Sequence, residues 1–245
     1  MIRFDVKYYV VVPTYNEKEN IEKLINEIES IFSENNINGG IIVVDDNSPD
    51  KTFEIVNKLQ STNQNTNFNI ELIKRPGKMG LGSAYIAGFK KALELGADYI
   101  QEMDADFSHK PEYLKDFYKE LQTNDIVIGS RYISGGGVEN WSWIRKFISR
   151  GGSLYTAIIL GWNLKDSTAG FVGYNRKVLE QIPLDEIKSN GYVFQIEMKY
   201  RAKKLGFSLK EIPIIFPDRV LGKSKMSGKI VYEAIYKVIS LRFSN

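Results

Sequence analysis

Asp98-Tyr99-Ile100-Gln101-Glu102-Met103-Asp104-Ala105-Asp106 is the stretch of this chain that decides its fold. It has the pattern of a short, mostly apolar strand that ends in two carboxylates, Asp104 and Asp106. Because side chains alternate along an extended chain, both carboxylates would lie on one face. Such oxygen ligands suit Mg²⁺ or Mn²⁺, which bind a few carboxylates together with phosphate oxygens and water. An isolated Asp-x-Asp is usually a solvated turn, so the surrounding sequence must decide between these interpretations.

Apolar runs alternate with segments of helical periodicity on both sides of this stretch. The pattern predicts strands at 8–12, 41–44, 70–73, 99–103 and 126–128, with helices at 20–32, 48–59, 82–95 and 111–121 between them. Gly39-Gly40 is expected to separate the first helix from the second strand. Continuous apolar strands alternating with helices indicate an α/β fold: a Rossmann-like, mainly parallel sheet flanked by helices on both faces.

The pattern changes after Gly129. It predicts a long helix at 141–160, strands at 169–174 and 209–216, a helix at 193–205, a polar and basic loop at 217–228 and a terminal amphipathic helix. No internal repeat or low-complexity segment divides the chain. We therefore expect a single domain over residues 1–245 with an elaborated second half.

Polar side chains follow three strands of the predicted sheet. Asp45 and Asp46 end the second strand, Arg75 follows the third, and Asp104 and Asp106 end the fourth. Ligands bind beyond the carboxyl ends of the strands in parallel sheets. The convergence of these polar side chains on one edge of the sheet favours a binding site over a set of solvated turns.

Composition excludes several classes of protein. The chain has 245 residues, 43% hydrophobic and 26% charged, which is ordinary for a globular protein. The net charge of +3 gives no reason to expect nucleic acid as a partner. Without cysteine there is neither a disulfide framework nor a thiolate metal site. No apolar stretch reaches the roughly 18 residues of a membrane span, so we expect a soluble or peripheral protein.

Two nucleotide-binding fingerprints are missing. The segment after the first strand, Pro13-Thr14-Tyr15-Asn16-Glu17, lacks the G-x-G-x-x-G that a dehydrogenase places there. It could be a simple helix-capping turn, or Tyr15 could stack on a base with Glu17 on a ribose. Gly222-Lys223-Ser224 ends like a phosphate loop, but Pro217 stands where the first glycine belongs.

Several segments together resemble a known family. Residues 13–17, 44–48, 80–82 and 103–106 resemble the inverting family 2 glycosyltransferases with the GT-A fold. Five further segments narrow the resemblance to the dolichol-phosphate mannose synthase catalytic subunits: 106–111, 129–132, 166–171, 191–198 and 218–225. The resemblance covers about residues 8–240 and implies a nucleotide-sugar half at 7–130, an acceptor half at 131–226 and a C-terminal amphipathic helix at 227–245.

The resemblance assigns the donor site. It implies GDP-mannose as donor, with the nucleotide-binding residues Pro13, Tyr15, Glu17, Val44, Asp46, Arg75, Ala105 and Lys225. Mg²⁺ or Mn²⁺ would be held by Asp104, Asp106 and Ser108, where Ser108 replaces an amide found in some relatives. The catalytic set would be Asp104, Asp106, Arg131 and Arg219, with the metal neutralising the diphosphate leaving group.

The implied acceptor is dolichol phosphate or another polyprenyl phosphate. Arg131, Arg145 and Ser149 match the family's acceptor-phosphate residues, and arginine suits phosphate geometry. By spacing alone, Arg145 and Ser149 would be a solvated helix face. A phosphate is already ionised near neutral pH, so we assign no catalytic base. His109 adjoins the site, and we interpret it as an orienting or helix-capping residue.

The remaining expectations concern the basic loop and the membrane. Arg219, Lys223 and Lys225 would bring cations to the diphosphate, although the spacing fits an ordinary solvated loop equally well. The terminal helix would either lie on anionic lipid or pack as core. We expect a cytoplasmic protein, peripheral on the cytoplasmic face of a membrane. Some relatives continue into membrane-spanning helices, so this chain resembles a short or truncated form, and a membrane-anchoring subunit stays open as a partner.

Two alternative functions stay open from the residues alone. The first keeps the fold and the lipid acceptor but uses UDP-glucose or another nucleotide sugar as donor. The second is a catalytically silent module that binds a nucleotide sugar. The carboxylates and arginines count against the second, and turnover distinguishes it from an enzyme.

Overall fold

A twisted sheet of mostly parallel strands forms the centre of the molecule. The computed structural model describes residues 6–218 and 228–243, with side chains given for 6–218 and 235–243. Within them, seven strands form the main sheet: β1 (Lys7–Thr14), β2 (Asn38–Asp45), β3 (Phe68–Lys74), β4 (Tyr99–Glu102), β5 (Ile126–Ser130), β7 (Val172–Asn175) and β8 (Leu209–Pro213). A separate parallel pair is made by β6 (Gly137–Val138) and β9 (Ile215–Phe216).

Helices connect the strands and cover the sheet. The described helices are α1 (Ile21–Glu34), α2 (Thr52–Thr62), α3 (Leu81–Glu94), α4 (Leu114–Leu121), α5 (Trp143–Leu160), α6 (Arg176–Gln181), α7 (Tyr192–Lys204) and α8 (Gly228–Phe243). Short 3₁₀ turns at Pro111–Tyr113 and Leu184–Glu186 precede α4 and α7.

The strand order is β3-β2-β1-β4-β7-β5-β8. All neighbouring pairs are parallel except those of β7, which runs antiparallel to β4 and to β5. The predicted mainly parallel sheet is therefore confirmed. Because β1 to β4 run the same way, their carboxyl ends lie along one edge, where the polar residues were predicted to converge.

Alternate strand residues enter two separate cores. Tyr8, Val10 and Val12 of β1 pack with α1, α2 and α4 on one face. Tyr9 and Val11 pack with α3, α6 and α7 on the other face. This two-residue alternation explains why the strands are apolar throughout: a strand covered by helices on both faces has no solvent side.

Three expectations about element boundaries are corrected by the structure. Gly39 and Gly40 lie inside β2 and do not separate it from the first helix. The neighbouring strands approach so closely there that an added Cβ would lie 1.8 Å and 2.0 Å from their backbone oxygens, so both positions need glycine. The predicted strand 169–174 begins only at Val172, since the preceding residues contact the site. The predicted strand 209–216 is divided at Ile214 into β8 and β9, which pair with different strands.

A smaller core joins the second-half helices. It is formed by Leu160, Trp162, Ile196, Tyr200 and Val238, from the end of α5, α7 and α8. The terminal helix thus packs along one edge, while Ile235, Tyr236, Ile239 and Phe243 are exposed. Among the described residues, no helix is both long and apolar enough to cross a membrane.

Candidate active site

The chain just beyond β4 places Asp104 and Asp106 at the carboxyl edge of the sheet. Both side chains are half-buried. Asp104 Oδ1 accepts a hydrogen bond of 3.0 Å from Tyr85 Oη, and its backbone N–H donates to His109 Nδ1 at 2.9 Å. His109 is buried and stacks on Phe171, with ring centroids 4.7 Å apart. His109 therefore orients the backbone of the first carboxylate.

The second carboxylate is fixed by a tight turn. Asp106 Oδ1 accepts from the backbone N–H of Ser108 at 3.1 Å and from its hydroxyl at 2.6 Å. Phe107 between them has a φ of 60°, which a bulky side chain rarely adopts. Such strain persists only where the surroundings impose it, and it clusters at functional sites. Ser108 is buried with its hydroxyl directed at Asp106, so its role as a metal ligand stays a prediction.

The residues at this edge fit a divalent cation. Within residues 6–218 and 228–243, no group of three or more Asp, Glu or His side chains could hold a metal. Two half-buried carboxylates remain, and Mg²⁺ is commonly held by one or two carboxylates plus substrate phosphates. Asp104 Oδ2 accepts no hydrogen bond from the described residues, so this oxygen is available to a ligand.

The two aspartates that end β2 have different tasks. Asp45 is fully buried and accepts from Thr14 Oγ1 at 2.9 Å and from Ser48 Oγ at 2.6 Å, which closes the turn after the strand. Asp46 instead forms a buried ion pair with Arg75. Arg75 also donates to Ser83 Oγ at 2.7 Å. The second carboxylate thus holds the glycine-rich segment that leads into α3.

The other predicted nucleotide residues surround this pair. Pro13 of β1 is in register with Val44 of β2, so both lie at the same strand ends. Tyr15 is 37% exposed, and Lys78 Nζ lies 4.4 Å from its ring centroid. Glu17 binds Asn20 at the start of α1, while Ala105 is buried between Asp104 and Asp106 in the sequence. Stacking of a base on Tyr15 stays a prediction.

Arg131 is a buried cation of the predicted acceptor half. It follows β5 and is 8% exposed. Its Nε and Nη2 donate to Asp166 at 2.7 Å and 2.6 Å, and Nη2 also donates to Thr168 Oγ1 at 3.0 Å. Burial alone would raise the pKa of Asp166, but the charge and hydrogen bonds of Arg131 outweigh it and lower that pKa. The pair is therefore ionised at neutral pH.

Arg145 and Ser149 lie one turn apart on α5. Arg145 stacks over the Trp141 ring at 3.8 Å and donates to Asp218 Oδ1 at 2.6 Å. Ser149 Oγ accepts from Tyr132 Oη at 2.7 Å. The alternative of a solvated helix face does not describe them, because both line one cavity together with Arg131.

That cavity, here called the acceptor cavity, has a volume of about 100 Å³. Arg131, Arg145 and Ser149 form its polar part, and most of the remaining wall is apolar or aromatic, lined by Trp141, Ile148, Gly152, Tyr155, Thr156, Thr168, Tyr192, Ile196, Ile235 and Val238. It lies between α5, α7 and the terminal helix α8. Two cations beside an apolar wall are suited to a molecule with an anionic head and a hydrocarbon tail.

Some site residues lie beyond what the structure describes, and others were missed. Arg219, Lys223 and Lys225 lie outside the described residues. Sequence reasoning gave no role to Asp166, Trp141 or Tyr132, each of which contacts a predicted acceptor residue. Asp166 and Tyr132 lie in segments that carry the family resemblance, which was the available signal. Trp141 is an ordinary aromatic in sequence, and its contact depends on the tertiary structure.

The chain belongs to glycosyl transferase family 2, which its residues 9–183 match. It is 43% identical to an undecaprenyl-phosphate mannosyltransferase of Micrococcus luteus over 233 residues, 95% of this chain and 93% of that protein. It is 41% identical to a polyprenol monophosphomannose synthase of Mycolicibacterium smegmatis over 230 residues, 94% of this chain and 84% of that one. The predicted family is thereby confirmed.

Solved structures show the same fold at low identity. Mannosyl-3-phosphoglycerate synthase from Rubrobacter xylanophilus matches with a TM-score of 0.68 and 15% identity, over 97% of this chain and 73% of that one. Glucosyl-3-phosphoglycerate synthase from Mycobacterium tuberculosis, solved with Mn²⁺ and uridine-diphosphate-glucose, matches with a TM-score of 0.66 and 17% identity, over 96% and 77%. The predicted GT-A fold is confirmed.

Proposed function

We propose that this protein transfers mannose from GDP-mannose to a polyprenyl phosphate such as dolichol or undecaprenyl phosphate, with inversion at the anomeric carbon. Two relatives at 43% and 41% identity carry names for mannosyl transfer to such lipids, and they align over nearly the whole chain. The observation that carries the proposal is the acceptor cavity, which joins two arginines to an apolar wall.

The acceptor head group would bind at the arginine end of the cavity. Arg131 already donates three side-chain hydrogen bonds to Asp166 and Thr168, which hold the guanidinium still. Its Nη1 makes no hydrogen bond within the described part of the chain. Arg145 would exchange its contact with Asp218 for the phosphate or share it. The isoprenoid chain would then follow the apolar wall between α5 and α8.

The proposed reaction does not need a protein side chain to remove a proton from the acceptor. A lipid phosphate loses its second proton near pH 6, so its oxygen is a ready nucleophile at neutral pH. The role of the chain's residues is then to orient that oxygen and to exclude water. This orientation is supported by arginines that are themselves held by carboxylates and an aromatic ring.

The donor would occupy the edge formed by β1, β2 and β4. Tyr15 offers a face for the base, and the Asp46–Arg75 pair shapes the pocket beside it. Asp104 and Asp106 would hold Mg²⁺ or Mn²⁺. When bound, such a cation supplies positive charge to the diphosphate leaving group.

The proposed partner surface is an anionic membrane. Helix α5 exposes Trp143, Phe147, Leu154 and Ile158, each at least 61% accessible, along one stripe. Lys146 and Arg150 are exposed beside that stripe, which matches the composition of helices that lie at a lipid surface. The stripe lies on the side of α5 that faces away from the acceptor cavity, while α8 lines the cavity with Ile235 and Val238 and exposes Tyr236 and Phe243. A bilayer that contacts both helices would bring the lipid acceptor beside the cavity. We place the protein on the cytoplasmic face, where nucleotide sugars are found.

Donor profiling tests the proposed function. Purified protein is incubated with Mn²⁺, a short polyprenyl phosphate and GDP-mannose, GDP-glucose, UDP-glucose or UDP-N-acetylglucosamine, and lipid-linked sugar is counted. We expect GDP-mannose to give the highest kcat/KM. A preference for UDP-glucose would instead support the alternative donor, and donor binding without any transfer would support the silent module.

A further inference from the structure

One short segment contacts both substrate sides of the proposed site. We call residues 166–171 the bridging segment. Asp166 at its start binds Arg131, and Phe171 at its end stacks on His109. His109 in turn accepts the backbone N–H of Asp104. A shift of this segment would therefore move the acceptor arginine relative to the donor carboxylates.

A buried lysine holds the middle of the bridging segment. Lys199 lies within α7 and is 0% exposed. Its Nζ donates to the backbone carbonyl oxygen of Ala169 at 2.6 Å. Burying an ammonium group is costly unless it is hydrogen-bonded and faces opposite charge. Hydrogen bonds and neighbouring charges must therefore fix the position of the Lys199 ammonium group.

Carboxyl groups from three elements act on that ammonium group, and Asp166, whose pKa is lowered, supplies opposite charge. Glu102 at the end of β4, Asp166 in the bridging segment and Glu211 in β8 act on Lys199, while Arg131 opposes them. Glu102 is fully buried, and its Oε1 accepts from Tyr174 Oη at 3.1 Å. Its Oε2 makes no hydrogen bond within the described residues. Lys199 thus stands between the strand that carries Asp104 and the segment that holds Arg131.

We propose that Lys199 is a positioning residue: by binding the Ala169 carbonyl it fixes the bridging segment, and so sets Arg131 relative to Asp104. This inference rests on the acceptor role proposed for Arg131. The competing explanation is that Lys199 only offsets the charge that Glu102 gains as the pH reaches its pKa of about 8, and so stabilises the fold. The two explanations differ in what happens when both ionisable groups are removed together.

Two variants separate them. Lys199→Met removes the ammonium with little change in length, and at pH 8 it leaves the ionised form of Glu102 without its counter-charge. The double variant Glu102→Gln, Lys199→Met has neither ionisable group, keeps an oxygen for Tyr174 and still lacks a donor for Ala169. Its unfolding free energy at pH 8 should return close to that of the wild type. Its kcat/KM for the acceptor should stay about tenfold or more below wild type, because a small misplacement of a positioning group is enough for such a loss.

A matched control lies one turn further along the same helix. Lys203 Nζ donates to the backbone carbonyl of Gly161 at 3.0 Å, away from the bridging segment. Lys203→Met should leave kcat and the acceptor KM unchanged. Hydrogen exchange should show faster amide exchange at residues 166–171 in both Lys199 variants and wild-type rates in the Lys203 variant.

The decisive comparison is between the wild type and the double variant. If the double variant regains wild-type stability, kcat and acceptor KM, Lys199 is only a counter-charge and the inference is overturned. The double variant also decides the question if Lys199→Met alone does not fold. The wild type is assayed first on the same short polyprenyl phosphate. Failure of that reaction overturns the proposed function, whereas equal activity of both proteins overturns only the role of Lys199.

Discussion

At the scale of single residues, the site depends on charged groups that are each held by a neighbour. Asp104 is bound by Tyr85, Asp106 by Ser108, Asp46 by Arg75 and Arg131 by Asp166. Ordering a side chain costs conformational entropy. Folding already orders these four side chains, so substrate binding does not have to order them. The groups proposed to bind substrate are consequently positioned before it arrives.

The metal assignment gives the first residue-scale prediction. Asp106→Asn keeps an oxygen for the two hydrogen bonds of Ser108 but removes the charge. We expect Mn²⁺ binding in the presence of GDP, measured by calorimetry, to weaken about tenfold or more, because a charged ligand is replaced by a neutral one. The far-UV circular dichroism spectrum should not change. Asp116→Asn on the exposed face of α4 is the control, and equal Mn²⁺ affinity in both variants would contradict the assignment.

The acceptor assignment gives the second. Arg145→Ala removes a charge-assisted contact worth roughly 1.5–3 kcal/mol, so acceptor affinity should fall about tenfold or more. Asp218→Asn removes the carboxylate that competes for the same guanidinium and should leave acceptor affinity equal or higher. GDP-mannose binding should be unchanged in Arg145→Ala. Loss of donor binding in its place would mean that Arg145 serves the nucleotide.

Glu102 gives a prediction about pH. Burial raises its pKa from 4.5 to about 8, although Gln195, Lys199 and Tyr174 oppose that rise. The folded protein therefore keeps a proton that the unfolded chain has lost, so this group's contribution to stability falls as pH rises from about 5 to 8. Lys199 stays protonated in both states over most of this range, since burial lowers its pKa only to about 8. Urea unfolding of Glu102→Gln should show a flatter pH dependence than the wild type, and parallel curves would contradict the assignment.

At the scale of secondary-structure elements, α5 has two tasks. Its inner side lines the acceptor cavity, and its outer stripe is apolar and exposed. An exposed apolar stripe of this size usually marks an interaction surface. The terminal helix α8 combines the two alternatives considered for it, because Val238 is buried in a core while Tyr236 and Phe243 are exposed.

Changing the stripe of α5 should uncouple membrane binding from chemistry. In Trp143→Ser, Phe147→Ser, two side chains that are each 76% exposed lose their apolar surface. We expect weaker sedimentation with anionic vesicles and lower activity on a long-chain acceptor, with unchanged activity on a short, water-soluble one. Leu205→Ser, at an exposed position after α7, is the control. If the double variant binds vesicles like the control, another surface reaches the membrane.

The elements also show what sequence can predict. Strands β1 to β5 and their connecting helices were predictable because each has a continuous apolar run or a clear helical period. The two-residue strand β6 and the short helix α6 were missed, and β9 was predicted only as the end of one longer strand, since the conformation of such short elements depends on partners far away in sequence. The buried positions of Lys199 and Glu102 were missed for the same reason. A polar residue on α7 or β4 gives no sign in sequence that it is paired inside the protein.

At the scale of the whole molecule, topology brings the two proposed substrate sides together. The proposed donor residues come from the ends of β1, β2 and β4, while Arg131 follows β5 and Arg145 lies on α5. Antiparallel β7 lies between β4 and β5, so the bridging segment that enters β7 passes between the two sides. The position of Asp45, Asp46, Arg75, Asp104 and Asp106 along one edge was predictable from strand ends, and their role toward a donor stays a prediction. The acceptor half needed the family resemblance, because only the fold places α5 and α7 around one cavity.

The central claim is an inverting transfer of mannose to a lipid phosphate. The measurement that tests it most directly is the anomeric configuration of the lipid product. Protein, Mn²⁺, GDP-mannose and a short polyprenyl phosphate are incubated, and the one-bond carbon–proton coupling at the anomeric carbon of the purified lipid is measured by NMR. The account predicts a β-mannosyl phosphate. An α-linked product, or mannose released to water without a lipid product, would contradict it.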